Sequence, residues 1–231
     1  MAFEIEKYRF KTESILDGLP SGEFRLLKDQ MTRVEVKKGK VIYKEGFYSK
    51  GVYILRKGKV KISQLSKDGD EQIAYIYKKG EIMGYRPLLC NTVHPVTATA
   101  LDECVLSFIP QQYFLRVLDH SLVLSRRLLT NLAYEFSVWI NTMSVLAQQP
   151  VKERVALVLL ILNEKYKRKG KEHLPAAISL SRQDMASYAR TTIETLARML
   201  RYFKDEKIIR TEGWKIIILK PKELEKIAEF Y

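Results

Sequence analysis

The chain has 231 residues, a mass of 26.9 kDa and a net charge of +13 from 40 basic and 27 acidic side chains. Hydrophobic residues make up 46% and charged residues 29%, too apolar for a disordered chain and too charged for a membrane bundle. Two cysteines, Cys90 and Cys104, are too few for a disulfide scaffold or an all-cysteine metal cluster. They suit a reducing compartment, and the cytoplasm is the expected location. The opening MAFEIEKYRF has no apolar core, so no signal peptide is expected. The longest aliphatic run, residues 155–162, is far shorter than a membrane span. The basic excess favours a polyanionic partner. Residues 150–231 hold 18 basic and 11 acidic side chains, a net of +7 in the shorter part of the chain. A basic run, KYKRKGK at 165–171, contributes to it.

In chain order, residues 13–30 read as short helical pieces with Leu16, Leu19, Phe24, Leu26 and Leu27 as apolar contacts, and Pro20 can open a turn. After Met31 the texture changes to short β-branched and aromatic runs near residues 34–36, 41–43, 52–55, 60–63 and 73–77. Glycines 39, 46, 51, 58, 69 and 80 separate them at roughly ten-residue intervals. That pattern predicts a small antiparallel barrel or roll. Lys67, Asp68, Gly69 and Asp70 predict a hairpin turn. A last strand pair is expected at 96–100 and 104–109. Between the strands, Gly80 to Leu89 reads as a loop entering a short helix, where Glu81 could take a hydroxyl and Arg86 an anion.

Pro110 can start a helix that buries Phe114, Leu115 and Leu118. From Ser121 to about Leu146 there is neither proline nor glycine. Leu128, Leu132, Phe136, Trp139, Met143 and Leu146 are spaced 4, 4, 3, 4 and 3, close to the coiled-coil period. Leu122, Leu129 and Ile140 widen the apolar face beyond what one small roll can cover, which predicts packing against the roll on one side and against a second copy of the helix, in a symmetric homodimer, on the other; the alternative is the core helix of a monomer. The organisation expected is therefore a roll at 1–118, a dimerisation helix at 119–147 and a last domain at 148–231, with Pro150 near the boundary.

Residues 151–165 predict an amphipathic helix. Ser181, with Asp184 three residues on, is a helix start, and Met185, Ala186 and Ala189 point inward. Arg190 and Thr191 make a break. Thr192 can cap a second helix over 193–205, with Leu196, Ala197, Leu200 and Phe203 facing the core. A hairpin over 208–219 and a short helix from Pro221 follow. Two short helices and a wing predict a winged helix-turn-helix. Glu194 and Arg198 stand four apart on one face. Glutamate can accept from the cytosine amino group, and arginine can reach guanine N7 and O6 in the major groove. Arg182, Arg190, Thr192, Thr195, Arg201, Lys204 and Lys215 suit phosphates. The partner expected is double-stranded DNA.

The segments GKVIYKEG (39–46), VYILRKGKV (52–60), Gly80-Glu81, LSRQDMA (180–186) and ETLAR (194–198) together resemble the Crp/Fnr family of bacterial transcription factors. The resemblance covers nearly the whole chain. It implies an α+β fold: a cyclic-nucleotide-binding-like antiparallel β-roll of jelly-roll type, a long dimerisation helix and a C-terminal winged helix-turn-helix. It also implies a homodimeric activator or repressor that reads a pseudo-palindrome, with RNA polymerase as a further partner of an activator. The chain departs from the pattern in four places. His94 stands where the arginine that holds a cyclic phosphate is expected, with Arg86 a substitute from a different place. Trp139 and Ile140 fall where small hydroxyl residues touch adenine. Ile193 replaces an arginine before the glutamate and could meet a thymine methyl. Arg190 replaces the glycine of the turn.

Ordinary cyclic AMP binding is therefore not expected. An unidentified small effector, if there is one, would meet Glu81, Tyr85, Arg86, His94, Thr97, Trp139 and Ile140. No cofactor or metal is expected. The cysteine count does not supply an iron–sulfur cluster, and lone histidines such as His94, His120 and His173 are more often structural than haem ligands. Two other classes compete: an enzyme regulated by a cyclic nucleotide, and a dimeric scaffold that binds no DNA. The first has no metal cluster, nucleophile triad or phosphate-binding glycine loop after Pro150.

Overall fold

The computed structural model describes residues 4–10, 15–67, 69–167 and 175–228. Asp68, His173 and most of the basic run at 165–171 lie outside them. The chain divides into two compact units, Phe10–Phe136 and a second made of Ser137–Tyr231 with Met1–Arg9. The division falls within a helix rather than at the expected boundaries near 118 and 147.

The first unit begins with α1 (Ser21–Asp29), which buries Leu27. Leu16 and Leu19 are buried beside it, whereas Phe24 and Leu26, expected as core contacts, are exposed. Two four-stranded antiparallel sheets follow. One orders β1 (Thr32–Val36), β8 (Cys104–Pro110), β3 (Gly51–Lys57) and β6 (Ile82–Met83). The other orders β2 (Val41–Tyr43), β7 (Thr97–Ala100), β4 (Val60–Leu65) and β5 (Glu71–Tyr77). Strands adjacent in the chain thus mostly part into different sheets, β4 and β5 being the pair that stays together. Gly58 has φ +90°, and a Cβ there would stand 2.6 Å from Cys104 Sγ. A side chain at Gly51 would meet the Ile109 carbonyl at 2.2 Å. Both glycines therefore permit close packing of the strands.

A five-residue helix α2 (Arg86–Cys90) fills the predicted loop. Helix α3 (Gln111–His120) then buries Phe114 and Val117. Ser121 breaks the path and caps the long helix α4 (Leu122–Gln148), its Oγ accepting the Leu124 N–H at 3.1 Å. Leu124 and Leu128 enter the roll core, and Leu132 packs against it.

This corrects the expected dimer stripe. Leu128 is buried within the first unit and Leu146 within the second, so neither is open to another chain. Met143 accepts a hydrogen bond from Arg190, and Trp139 is half-buried. The exposed large apolar residues of α4 are instead Leu122, Val123, Leu129, Tyr134, Phe136 and Ile140. Of the expected stripe, Phe136 is among them.

In the second unit, α5 (Val151–Tyr166) starts at Pro150 and buries residues 155–162 without a break. It packs against α7 (Ile193–Asp205), α8 (Pro221–Ala228) and β9 (Ala177–Ile178). Strand β9 joins β11 (Lys215–Ile218) and β10 (Ile209–Glu212) in a three-stranded antiparallel sheet. The sequence reading had only the last two.

Candidate nucleic-acid interface and roll interior

Helix α6 (Arg182–Tyr188) begins at a working cap. Ser181 Oγ accepts the Asp184 N–H at 3.0 Å and donates to its carboxylate at 2.6 Å. Ala186 is buried, so the two helices can approach closely. Arg190 makes the turn with φ +51°, at a cost of roughly 1 kcal/mol for a residue with a Cβ. The Thr191 N–H bonds back to the Ala186 carbonyl at 3.0 Å. The Arg190 guanidinium donates to Met143 Sδ at 3.0 Å. It is therefore turned toward α4 and leaves the expected set of phosphate contacts.

Helix α7 starts at Thr192, whose Oγ1 accepts the Thr195 N–H at 3.2 Å. Leu196, Leu200 and Phe203 are buried, one turn apart, so the opposite side is presented outward. Ile193, Glu194, Ala197, Arg198, Arg201 and Lys204 are exposed. Ala197, expected in the core, is thus on the outer face, where a small side chain leaves room between Glu194 and Arg198. Hydrogen bonds at the helix start, from its own backbone and from the Thr192 hydroxyl, hold the Glu194 carboxyl below the ordinary carboxylate range. It stays an acceptor at neutral pH. Arg198 Nη2 donates to Thr195 Oγ1 at 3.2 Å, which steers the guanidinium along the outer face. Thr192 and Thr195 thus cap and orient before they can serve a phosphate.

Strands β10 and β11 meet at a two-residue loop, Gly213 and Trp214, between the paired Glu212 and Lys215. Gly213 takes φ +58°, the positive value that such a loop needs at its first position. Lys215 and Trp214 are exposed at this tip. Arg210 is paired with Glu212 at 2.5 Å. Arg182 is half-buried, and burial lowers its pKa.

The expected effector residues of the roll are all engaged by the roll itself. Glu81 is fully buried; its oxygens accept from the Tyr75 hydroxyl at 2.8 Å and the Lys78 N–H at 2.7 Å. Thr97 Oγ1 accepts the Glu45 N–H at 3.1 Å. His94 is buried and stacks on Tyr43 with 4.0 Å between ring centres. Its backbone bonds to Phe47 and Gly46, closing the β2–β3 connection onto residue 94. Tyr85 is fully buried. Arg86 donates from Nε to Glu135 Oε2 at 2.8 Å. Trp139 and Ile140 belong to the other unit, and Ile140 is exposed. Glu135 and Phe10, both in the roll interior, were missed from sequence.

Residues 33–121 match the family profile described as a cyclic nucleotide-binding domain, and residues 153–227 match a Crp-like helix-turn-helix domain. Among curated relatives, the transcriptional activator protein Anr of Pseudomonas protegens is 28% identical over 84% of this chain and 79% of its own length. The fumarate and nitrate reduction regulatory protein of Vibrio cholerae is 25% identical over 84% of this chain and 77% of its own. The chain belongs to the Crp/Fnr family. FixK2 from Bradyrhizobium japonicum shares the fold with TM-score 0.78 at 23% identity, covering 87% of this chain and 98% of that one. A putative Crp/Fnr regulator of Eubacterium rectale does so at 0.74 and 22%, covering 93% and 97%. This Crp/Fnr chain is a DNA-binding transcription regulator, and its relatives are regulators rather than enzymes.

In the roll of this Crp/Fnr regulator, Glu81 and Arg86 are each engaged by neighbouring groups of the chain. The carboxylate that would take a ribose hydroxyl is already held by Tyr75 and Lys78, and the arginine that would take the phosphate is held by Glu135. No cluster of three or more metal-ligating side chains occurs among the described residues. Cys90 is exposed, whereas Cys104 is buried and burial pushes its thiol pKa up. His94 is a packing residue, and burial lowers its pKa below the ordinary 6.5. The unfolded chain therefore binds a proton at His94 before the folded chain does. The His94 contribution is intact above pH 6.5 and is lost as pH falls below it. Replacing His94 with phenylalanine, which keeps a flat ring against Tyr43, should remove this part of the acid loss in melting temperature. An unchanged slope of melting temperature against pH would contradict it.

Proposed function

We propose that the chain acts in the cytoplasm as a homodimer whose two α7 helices read a pseudo-palindromic operator in successive major grooves. The observation that carries this reading is the outer face of α7, where Glu194 and Arg198 stand one turn apart on a helix anchored by Leu196, Leu200 and Phe203. Ile193 adds an exposed apolar group beside them, suited to a thymine methyl. Arg201, Lys204 and Lys215 are exposed cations flanking that face and are assigned to phosphates. The face of α4 formed by Leu129, Phe136 and Ile140 supports pairing with a second copy. If the chain activates transcription, RNA polymerase is the further partner.

Phosphate contacts and base contacts separate by their response to salt. Lys204→Ala should weaken binding to all DNA sequences alike and reduce the slope of log K against log salt by about 0.9 per protomer. Fluorescence anisotropy across a salt series, on operator and on random DNA, measures both effects. A loss confined to the operator would move Lys204 from the phosphates to the bases.

A further inference from the structure

Helix α4 turns a charge into the roll. Glu135 follows Leu132 on its inward side and is 1% exposed. Arg86, the first residue of α2, meets it from the opposite wall. Nε and Nη2 of Arg86 both donate to Glu135 Oε2, and Nη1 reaches the Tyr77 hydroxyl at 3.4 Å. The rings of Phe10 and Tyr85 each lie 5.6 Å from the guanidinium carbon. Phe10 in turn stacks on Tyr75 with 3.7 Å between centres, and its N–H donates to the Tyr75 hydroxyl. Around Arg86 the chain therefore supplies its own anion and its own stacked aromatic ring.

Buried ion pairs are poor sources of stability, because both ions lose their water. What such a pair does set is which group the arginine can meet. An external anion would have to displace Glu135 and leave a desolvated carboxylate behind. The buried Tyr85 hydroxyl also interacts with the Glu135 carboxylate, so it too is occupied by this built-in anion. If the carboxylate charge were removed, an entering anion would meet Arg86 together with the Tyr77 and Tyr85 hydroxyls.

We propose that Glu135 is a built-in anion that closes the roll to phosphate-bearing effectors and ties α4 to Arg86 in their place. This deepens the reading of the chain as a regulator with a cyclic-nucleotide-type roll, and it names how that roll is controlled. The wild-type roll then keeps its arrangement without a phosphate-bearing ligand, and neutralising one side chain opens an anion site.

Calorimetric titration of the DNA-free, full-length chain tests this apart from operator binding, with inorganic phosphate and 3′,5′-cyclic AMP as separate probes. Wild type should bind neither. Glu135→Gln should bind phosphate at least about tenfold more tightly than wild type, a change of about 1.4 kcal/mol. Arg86→Gln with Glu135→Gln should lose that gain. If cyclic AMP binds the single variant more tightly than phosphate, the opened site admits a nucleotide; if only phosphate binds, it is a bare anion subsite. Both results support the proposal. Binding of either probe to wild type, or to neither probe by folded Glu135→Gln, would overturn it, as would a gain that survives loss of Arg86. Should Glu135→Gln fail to fold, Glu135→Met is the second variant; it removes the charge at similar side-chain length and should give a gain of the same kind. A folded Glu135→Met with no gain would equally overturn the proposal.

Discussion

Arg198→Ala should lower affinity for the preferred operator by about 1–3 kcal/mol per protomer, roughly 5- to 150-fold, and leave affinity for random DNA nearly unchanged. The reason lies in how the side chain is held. Thr195 is fixed by the Thr192 cap and in turn accepts from Arg198 Nη2, so the guanidinium is oriented before it meets a base. Little conformational entropy remains to be lost on contact. Glu194→Ala should act in the same direction, relaxing the preference at one base pair, because an ionised carboxylate can accept but cannot donate. Anisotropy on a panel of operators, each with one base pair changed, reads both effects. Equal losses on every sequence would move these residues to the backbone.

Phe136→Glu should separate the protomers. Leu129, Phe136 and Ile140 are 66%, 67% and 53% exposed and recur at intervals of 7 and 4 along α4. A second copy of the same helix can bury such a face with knobs-into-holes packing. A glutamate there would place a charge, and its twofold copy, in the middle of the contact. Sedimentation equilibrium should show a monomer. Binding to a full palindrome should fall to that of a half-site, about 10²- to 10⁴-fold, since the two helix-turn-helix units would no longer be linked. A variant that stays dimeric would place the interface elsewhere.

The DNA-binding unit was the most legible part of the sequence. Its helix starts carry their own signals, and Ser181 and Thr192 cap as their positions predict. The roll strands were also readable, because glycines fall where strands must turn or pack closely, as at Gly51 and Gly58. Strand β9, at two residues, is too short for any periodicity to mark it.

That the long helix has more apolar surface than the roll covers was legible; which residues fall on which side was not. The helix is apolar on two sides, and the spacing of Leu128, Leu132, Phe136, Trp139, Met143 and Leu146 crosses from one to the other. Leu128 and Leu132 go to the roll, whereas Leu129, Phe136 and Ile140 stay outside. Periodicity finds an apolar face but does not say what covers it. Glu135 was a usable signal: a lone carboxylate three residues after the inward Leu132 requires a buried cation. Its partner, Arg86, is 49 residues away, and only the fold brings them together. The effector residues failed likewise. Glu81 and His94 were weighed as ligands from local pattern, but their actual partners, Tyr75 and Tyr43, come from other parts of the roll.

Selection of bound fragments from a random double-stranded DNA library by the full-length protein tests the central claim most directly. The account predicts enrichment of a pseudo-palindrome whose half-sites are centred one helical turn apart, about 10 base pairs, or a multiple of it. Recovery of DNA with no common sequence, or of a single unrepeated site, would contradict it.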